Sequence, residues 1–101
     1  MSPAYVIADI DVSDPVGYEQ YKALSTAAAG LYGGRFVVRG GAADVLEGDV
    51  VPHRLVVIEF ETPEAARRWY ASPEYAAARE IRQATSSGWL LLVEGAAQPD
   101  E

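Results

Sequence analysis

Cysteine is absent from this 101-residue chain, which excludes disulfides, thiolate nucleophiles and thiolate metal sites together. Histidine occurs once, at His53, and no group of His, Asp and Glu falls at metal-ligand spacing, so no metal is expected. A haem would need His53, Met1 or a tyrosine as its axial ligand, and no cofactor is expected either. Basic residues are scarce: eight against 15 acidic ones give a formal net charge of −7. Such a field repels a polyanion, so nucleic acid is an improbable partner. Unbroken apolar runs are short, far below the ~20 residues a membrane helix needs, and the N-terminus has no basic start followed by an apolar stretch. The expectation is a soluble cytoplasmic protein. No Gly-x-Ser-x-Gly elbow is present, and Gly33-Gly34 and Gly40-Gly41 lack the rest of a phosphate-loop pattern and read as turns. What is there is ordinary for a globular protein, with 50% hydrophobic and 23% charged residues. A chain this short buries only ~60–70% of the surface it exposes when unfolded. Its core is therefore thin, and a partner chain would supplement it.

Hydrophobic periodicity divides the chain into six segments. Ala4 to Val12 alternates with period two and reads as a strand. Ser13-Asp14-Pro15 is a helix start, with the Asp14 carboxylate as cap and Pro15 where its missing N–H costs nothing. Tyr21, Leu24, Ala28 and Leu31 form the apolar stripe of that helix, with Tyr18 on its edge, and Gly33-Gly34 ends it. Arg35 to Arg39 is a second strand, and Asp44 to Glu47 is expected to resume pairing after Gly40-Gly41. His53 to Glu61 is the third strand. Thr62-Pro63-Glu64 and Ser72-Pro73-Glu74 both start helices, so a broken helix runs to about Gln83. Trp89 to Glu94 is the last strand. The order is that of a split βαβ, ferredoxin-like α+β fold: βαββαβ, with an antiparallel four-stranded sheet and the helices on one face. Residues 1–95 form a single domain and residues 96–101 a flexible C-terminal tail.

The two faces of the sheet differ. Val6, Ala8, Ile10, Phe36, Val38, Val56, Ile58, Phe60, Leu90 and Leu92 belong under the helices. The opposite face carries Ile7, Val37, Leu55, Val57, Trp89, Leu91 and Val93 among Tyr5, Asp9, Arg35, Arg39, His53 and Glu59. A wet face should be mostly polar, and soluble monomers avoid an apolar patch of this kind. A second copy placed sheet against sheet about a two-fold axis removes it, so a homodimer is expected.

Several segments, in order, resemble one bacterial family. They are Asp14-Pro15 with Tyr18 and Tyr21, Gly33-Gly34-Arg35-Phe36-Val37-Val38-Arg39-Gly40-Gly41, Leu46-Glu47-Gly48, Arg54-Leu55-Val56-Val57-Ile58-Glu59-Phe60 and Trp69-Tyr70-Ala71-Ser72-Pro73-Glu74-Tyr75. From about Ala4 to Gly95 the chain is similar to the domain of unknown function 1330, within the dimeric α+β-barrel superfamily. The resemblance implies a protomer whose sheet closes with a partner's into a barrel, helices outside. It implies no activity, since that family has none generally assigned. Similar barrels include cofactor-free oxygenases, small-lactone isomerases, polyketide cyclases, aldoxime dehydratases and haem proteins, too broad a range to fix a chemistry.

The residues that carry chemistry are few. His53 is the one side chain that ordinarily titrates near neutrality. Antiparallel pairing of the first and third strands places Asp11 opposite it as an orienting carboxylate for a general base; the alternative is a solvated residue at a strand end. Arg39, Arg54 and Arg82 are the cations able to receive an anionic ligand. For Arg35, and equally for Arg39, the alternative is pairing with Glu59 or Asp9 across strands. Gly40-Gly41 offers bare backbone that a ligand can approach. Tyr18, Tyr21, Trp69, Tyr70 and Tyr75 bring rings with polar tips to the helix–sheet boundary, where they line a pocket or fill the core. The first reading is a small-molecule-binding protein for a small acidic or aromatic metabolite, with Tyr18, Tyr21, Arg39, Arg54, Trp69, Tyr70 and Arg82 as ligand contacts. The second is a cofactor-free enzyme, an isomerase, cyclase or monooxygenase-like protein, using His53 with Asp11, or a tyrosine, as acid/base. A purely structural partner protein is the third.

Overall fold

A computed structural model describes residues 2–96. The order is β1 (Ala4–Val12), α1 (Pro15–Leu31), β2 (Arg35–Arg39), β3 (Arg54–Phe60), α2 (Pro63–Ala71), α3 (Pro73–Thr85) and β4 (Ser86–Glu94). The four strands form one antiparallel sheet in the order β2-β3-β1-β4, the ferredoxin-like arrangement the sequence predicts. Asp14, Thr62 and Ser72 cap the three helices through bonds from the N–H groups of Gly17, Ala65 and Tyr75. Each cap is followed by proline, whose fixed φ suits the first turn. At the end of α1, Gly33 takes φ 76°, and Gly34 N–H reaches back to the Ala29 carbonyl at 2.8 Å. This left-handed turn satisfies helix-end carbonyls and sends the chain into β2.

Val6, Ile58, Phe60, Trp69, Tyr75 and the alanines Ala28, Ala29, Ala66 and Ala78 make one buried cluster. Ala8, Ile10 and Tyr18 make a second, smaller one. Half of the stripe expected for α1 is found: Ala28 is buried and Tyr21 packs against the core, but the two leucines face out. Tyr18 is 3% exposed and Ser25, Ala28 and Ala29 are buried, whereas Leu31 is 69% exposed and Leu24 also faces out. The helix is turned so that small residues meet α3 at close range. Tyr18 and Tyr21, tilted by 38° with centroids 5.1 Å apart, supply the bulk.

Three other expectations change. Asp44 to Glu47 does not resume pairing; residues 41–53 form a connection without strand structure. β4 begins at Ser86, three residues before Trp89. In β2 a bulge separates Phe36, opposite Ile58, from Val38, opposite Val57, and puts Arg39 opposite Val56. One extra residue exchanges the two faces beyond it. Val38 therefore lies on the open face and Arg39 on the helix-covered one, the reverse of strict alternation. Residues 97–101 of the expected tail lie outside the described residues.

Along the open face Ile7, Leu55, Val57, Trp89, Leu91 and Val93 occupy neighbouring positions of β1, β3 and β4. Leu91 is 56% exposed. Arg35 donates to Glu59 at 2.5 Å and the Tyr5 hydroxyl to the same carboxylate at 3.0 Å. Arg35 first, then Tyr5, holds the Glu59 carboxyl below its usual range. This is the cross-strand pairing anticipated for Arg35.

Candidate functional site

A cavity of about 30 Å³ lies between the helices and the covered face of the sheet. Its floor is aliphatic, from β1, β3 and β4, with Phe36 of β2; its upper wall is Tyr18, Tyr21 and Ser25 of α1 and Trp69 of α2. Lys22, Arg39 and Arg54 complete the lining, and among the described residues no carboxylate or imidazole does so. Lys22 is neutralised from outside by Glu19 at 3.0 Å. Arg39 donates to the Thr26 hydroxyl, and its guanidinium carbon lies 4.2 Å from the Phe36 ring centroid. The bulge in β2 is what turns this side chain inward.

Arg54 enters from the start of β3. Its guanidinium carbon is 5.8 Å from the Tyr18 ring centroid, and the head group lies against Gly40, φ 73°, where a Cβ would collide with it. The bare backbone expected to admit a ligand at this turn instead admits Arg54. Neither Arg39 nor Arg54 has a carboxylate partner among the described residues. The Arg54 Nε and the Trp69 Nε1 are buried without hydrogen-bond partners. Trp69 also borders an open groove of about 410 Å³ between α2 and β4, which shares Val6, Trp69 and Leu90 with the cavity. As closed here the cavity holds about two waters. An organic occupant would have to part the Trp69–Leu90 wall and use the space of the groove.

Tyr18 and Tyr21 stay protonated at neutral pH. Burial raises both phenols, and the nearby Arg54 offsets part of the rise for Tyr18. For Tyr21, the Tyr75 ring and its hydroxyl, 3.0 Å away, add to the rise. In the unfolded chain Tyr21 titrates near the ordinary 10.0. Above that pH the unfolded state releases a proton that the folded state keeps, so stability falls as pH rises, and is fully present below it. Urea denaturation between pH 9 and 11 is expected to show a downward slope, of which Tyr21→Phe removes up to about 1.4 kcal/mol per pH unit. An unchanged slope in the variant would contradict the assignment.

The remaining candidates lie elsewhere. Arg82 is buried, with its Nε unpartnered, but does not line the cavity. Tyr70 borders the outer groove, with the Arg79 guanidinium carbon 4.4 Å from its ring centroid. His53 and Asp11 stand on the open face, with the sheet between them and the cavity. Ile10 pairs with Arg54, so Asp11 and His53 are the next positions outward, as the sequence predicts. The nearer carboxylate is nevertheless Asp9. Its Oδ1 accepts the His53 backbone N–H at 2.8 Å and its Oδ2 lies 3.2 Å from Nδ1; the Asp11 Oδ2 is 3.7 Å from Nε2. Sequence reasoning paired Asp9 with an arginine, yet Arg39 is on the other face. The signal for Asp9 was its diagonal position to His53 on the same face. Lys22 and Ser25 were missed because α1 is rotated from its leucine stripe.

This cavity sits in a fold already seen in relatives. A family model for a domain of unknown function, DUF1330, matches residues 3–96. The chain belongs to that family. No curated protein matches the DUF1330 chain, but several solved structures do. The RPA0582 protein of unknown function from Rhodopseudomonas palustris is 19% identical, with TM-score 0.76 over 96% of this chain and 85% of that one. SnoaB, a cofactor-independent oxygenase from Streptomyces nogalater, is 19% identical with TM-score 0.66 over 100% of both chains. A dimeric ferredoxin-like protein of unknown function from Thermobifida fusca is 18% identical, with TM-score 0.61 over 92% and 91%. At these identities the likeness is one of fold. No helix among the described residues is long and apolar enough to cross a membrane.

Proposed function

We propose that this DUF1330 protein binds a small acidic, aromatic metabolite in its helix–sheet cavity, and that it does so as a homodimer with the open sheet faces apposed. The observation that carries the first part is a charge distribution. In a chain of net charge −7 with eight basic residues, three of those residues converge on one ring-walled apolar cavity that no described carboxylate lines. Pockets for small molecules combine apolar walls with a few convergent polar groups of this kind. The homodimer is supported by the uncovered apolar face and by the dimeric state of the similar Thermobifida fusca protein.

Titration with benzoate tests the cavity. Arg39→Ala and Arg54→Ala are each expected to weaken binding by about tenfold to a hundredfold, the ~1.5–3 kcal/mol of a hydrogen bond to a charged group. Full affinity in the double variant would overturn the reading.

The enzymatic reading rests on His53, whose ring is oriented by Asp9, and on the oxygenase activity named for the similar SnoaB. On this reading the reaction takes place on the His53 side of the sheet. His53→Ala then abolishes turnover and leaves benzoate affinity in the cavity unchanged.

A further inference from the structure

The cavity is short of hydrogen-bond acceptors. Lys22, Arg39, Arg54 and Trp69 can only donate, and the hydroxyls of Tyr18, Tyr21 and Ser25 both donate and accept. Two of these residues carry a donor that is buried and unpaired, the Arg54 Nε and the Trp69 indole Nε1; the Nε atoms of Arg79 and Arg82, which do not line the cavity, are unpaired as well. Native interiors leave few such groups unsatisfied, because each one stranded from water is costly. Trp69 is 1% exposed, and none of its ring neighbours Phe60, Tyr70 and Tyr75 accepts its N–H. Arg54 on β3 and Trp69 on α2 line one cavity, so a single occupant that widens it can satisfy both donors.

We propose that the ligand is an aryl carboxylate carrying a second, uncharged oxygen acceptor on its ring. The carboxylate meets the guanidinium groups of Arg39 and Arg54, and a ring carbonyl or ether-like oxygen accepts the Trp69 N–H. The claim rests on the cavity reading above and narrows it. Ligands bearing an ammonium group are rejected by the unpaired charges of Arg39 and Arg54, and purely hydrocarbon acids leave the indole unpaired.

The test compares shape-matched acids: meta- and para-acetylbenzoate, which carry an acceptor, against meta- and para-isopropenylbenzoate, which do not. At least one acetyl isomer is expected to bind tenfold or more tightly than its isopropenyl partner. It is also expected to move the Trp69 indole N–H resonance downfield, with Trp89→Phe assigning which of the two indole signals is which. Trp69→Phe is expected to erase the preference while keeping affinity for both acids. The ratio and the resonance are measured on the unaltered ring at position 69, so the test stands even where Trp69→Phe folds poorly. Equal binding of acetyl and isopropenyl acids with a stationary Trp69 signal would overturn the proposal, with bound water as the indole's partner, and leave the cavity reading intact. Failure of every acid to bind would overturn the cavity reading itself.

Discussion

Trp69→Ala is expected to lower folding stability by about 3–5 kcal/mol, the range for deleting a large buried aromatic. The Trp69 ring lies 4.2 Å from the centroid of Tyr75 and 5.5 Å from that of Phe60. It packs between α2, α3 and the sheet, where no flexible neighbour can fill the void. A domain of this size has roughly 5–15 kcal/mol in total, so the variant would stand near its unfolding threshold. Urea denaturation gives the figure directly, and a loss under about 1.5 kcal/mol would show that Trp69 is not the keystone of the core. Trp89 is the natural control. It is half exposed on the open face, and its replacement by alanine is expected to act on association more than on folding of the protomer.

Val57→Glu is expected to convert a dimer into a folded monomer at micromolar concentration. Val57 pairs with Ile7 on the two central strands, so it lies in the middle of the open face. A carboxylate buried there without a partner costs several kcal/mol, and a two-fold interface holds the substitution twice. Dissociation should strengthen by a hundredfold or more, about 2.7 kcal/mol. Sedimentation velocity checks both halves of the statement. An unaltered protein that sediments as a monomer at micromolar levels would contradict the dimer, and a dimeric Val57→Glu protein would contradict the face assigned to it.

Much of the fold was legible because its signals are local. The three caps and the following prolines are readable in single tripeptides, and β1 alternates cleanly enough to fix which side is buried. The antiparallel β1–β3 pairing expected from the sequence agrees with the observed register, in which Ile10 faces Arg54 and Asp11 and His53 are the next positions outward. What could not be read depended on geometry that the sequence does not display. A bulge at Val37 adds one residue and reverses the faces of Val38 and Arg39, so the cation that proved to line the cavity had been assigned to the wrong side. On α1, leucines marked the wrong stripe because the helix approaches α3 through alanine and serine, and close approach selects small side chains over apolar ones. His53 and the cavity both look functional in sequence. Only the sheet lying between them shows that they cannot act on one molecule from the same side.

The account turns on which side of the sheet a ligand touches, and methyl-selective NMR during a benzoate titration reads that side directly. The methyl groups of Val6, Ala8, Ile10 and Ile58 face the cavity, and those of Ile7, Leu55, Val57 and Val93 lie on the opposite face of the sheet and border neither the cavity nor the groove. Saturable shifts are expected in the first set, with the second set nearly still. Shifts confined to Ile7, Leu55, Val57 and Val93 would place the ligand on the open face beside His53 and contradict the assignment of the cavity.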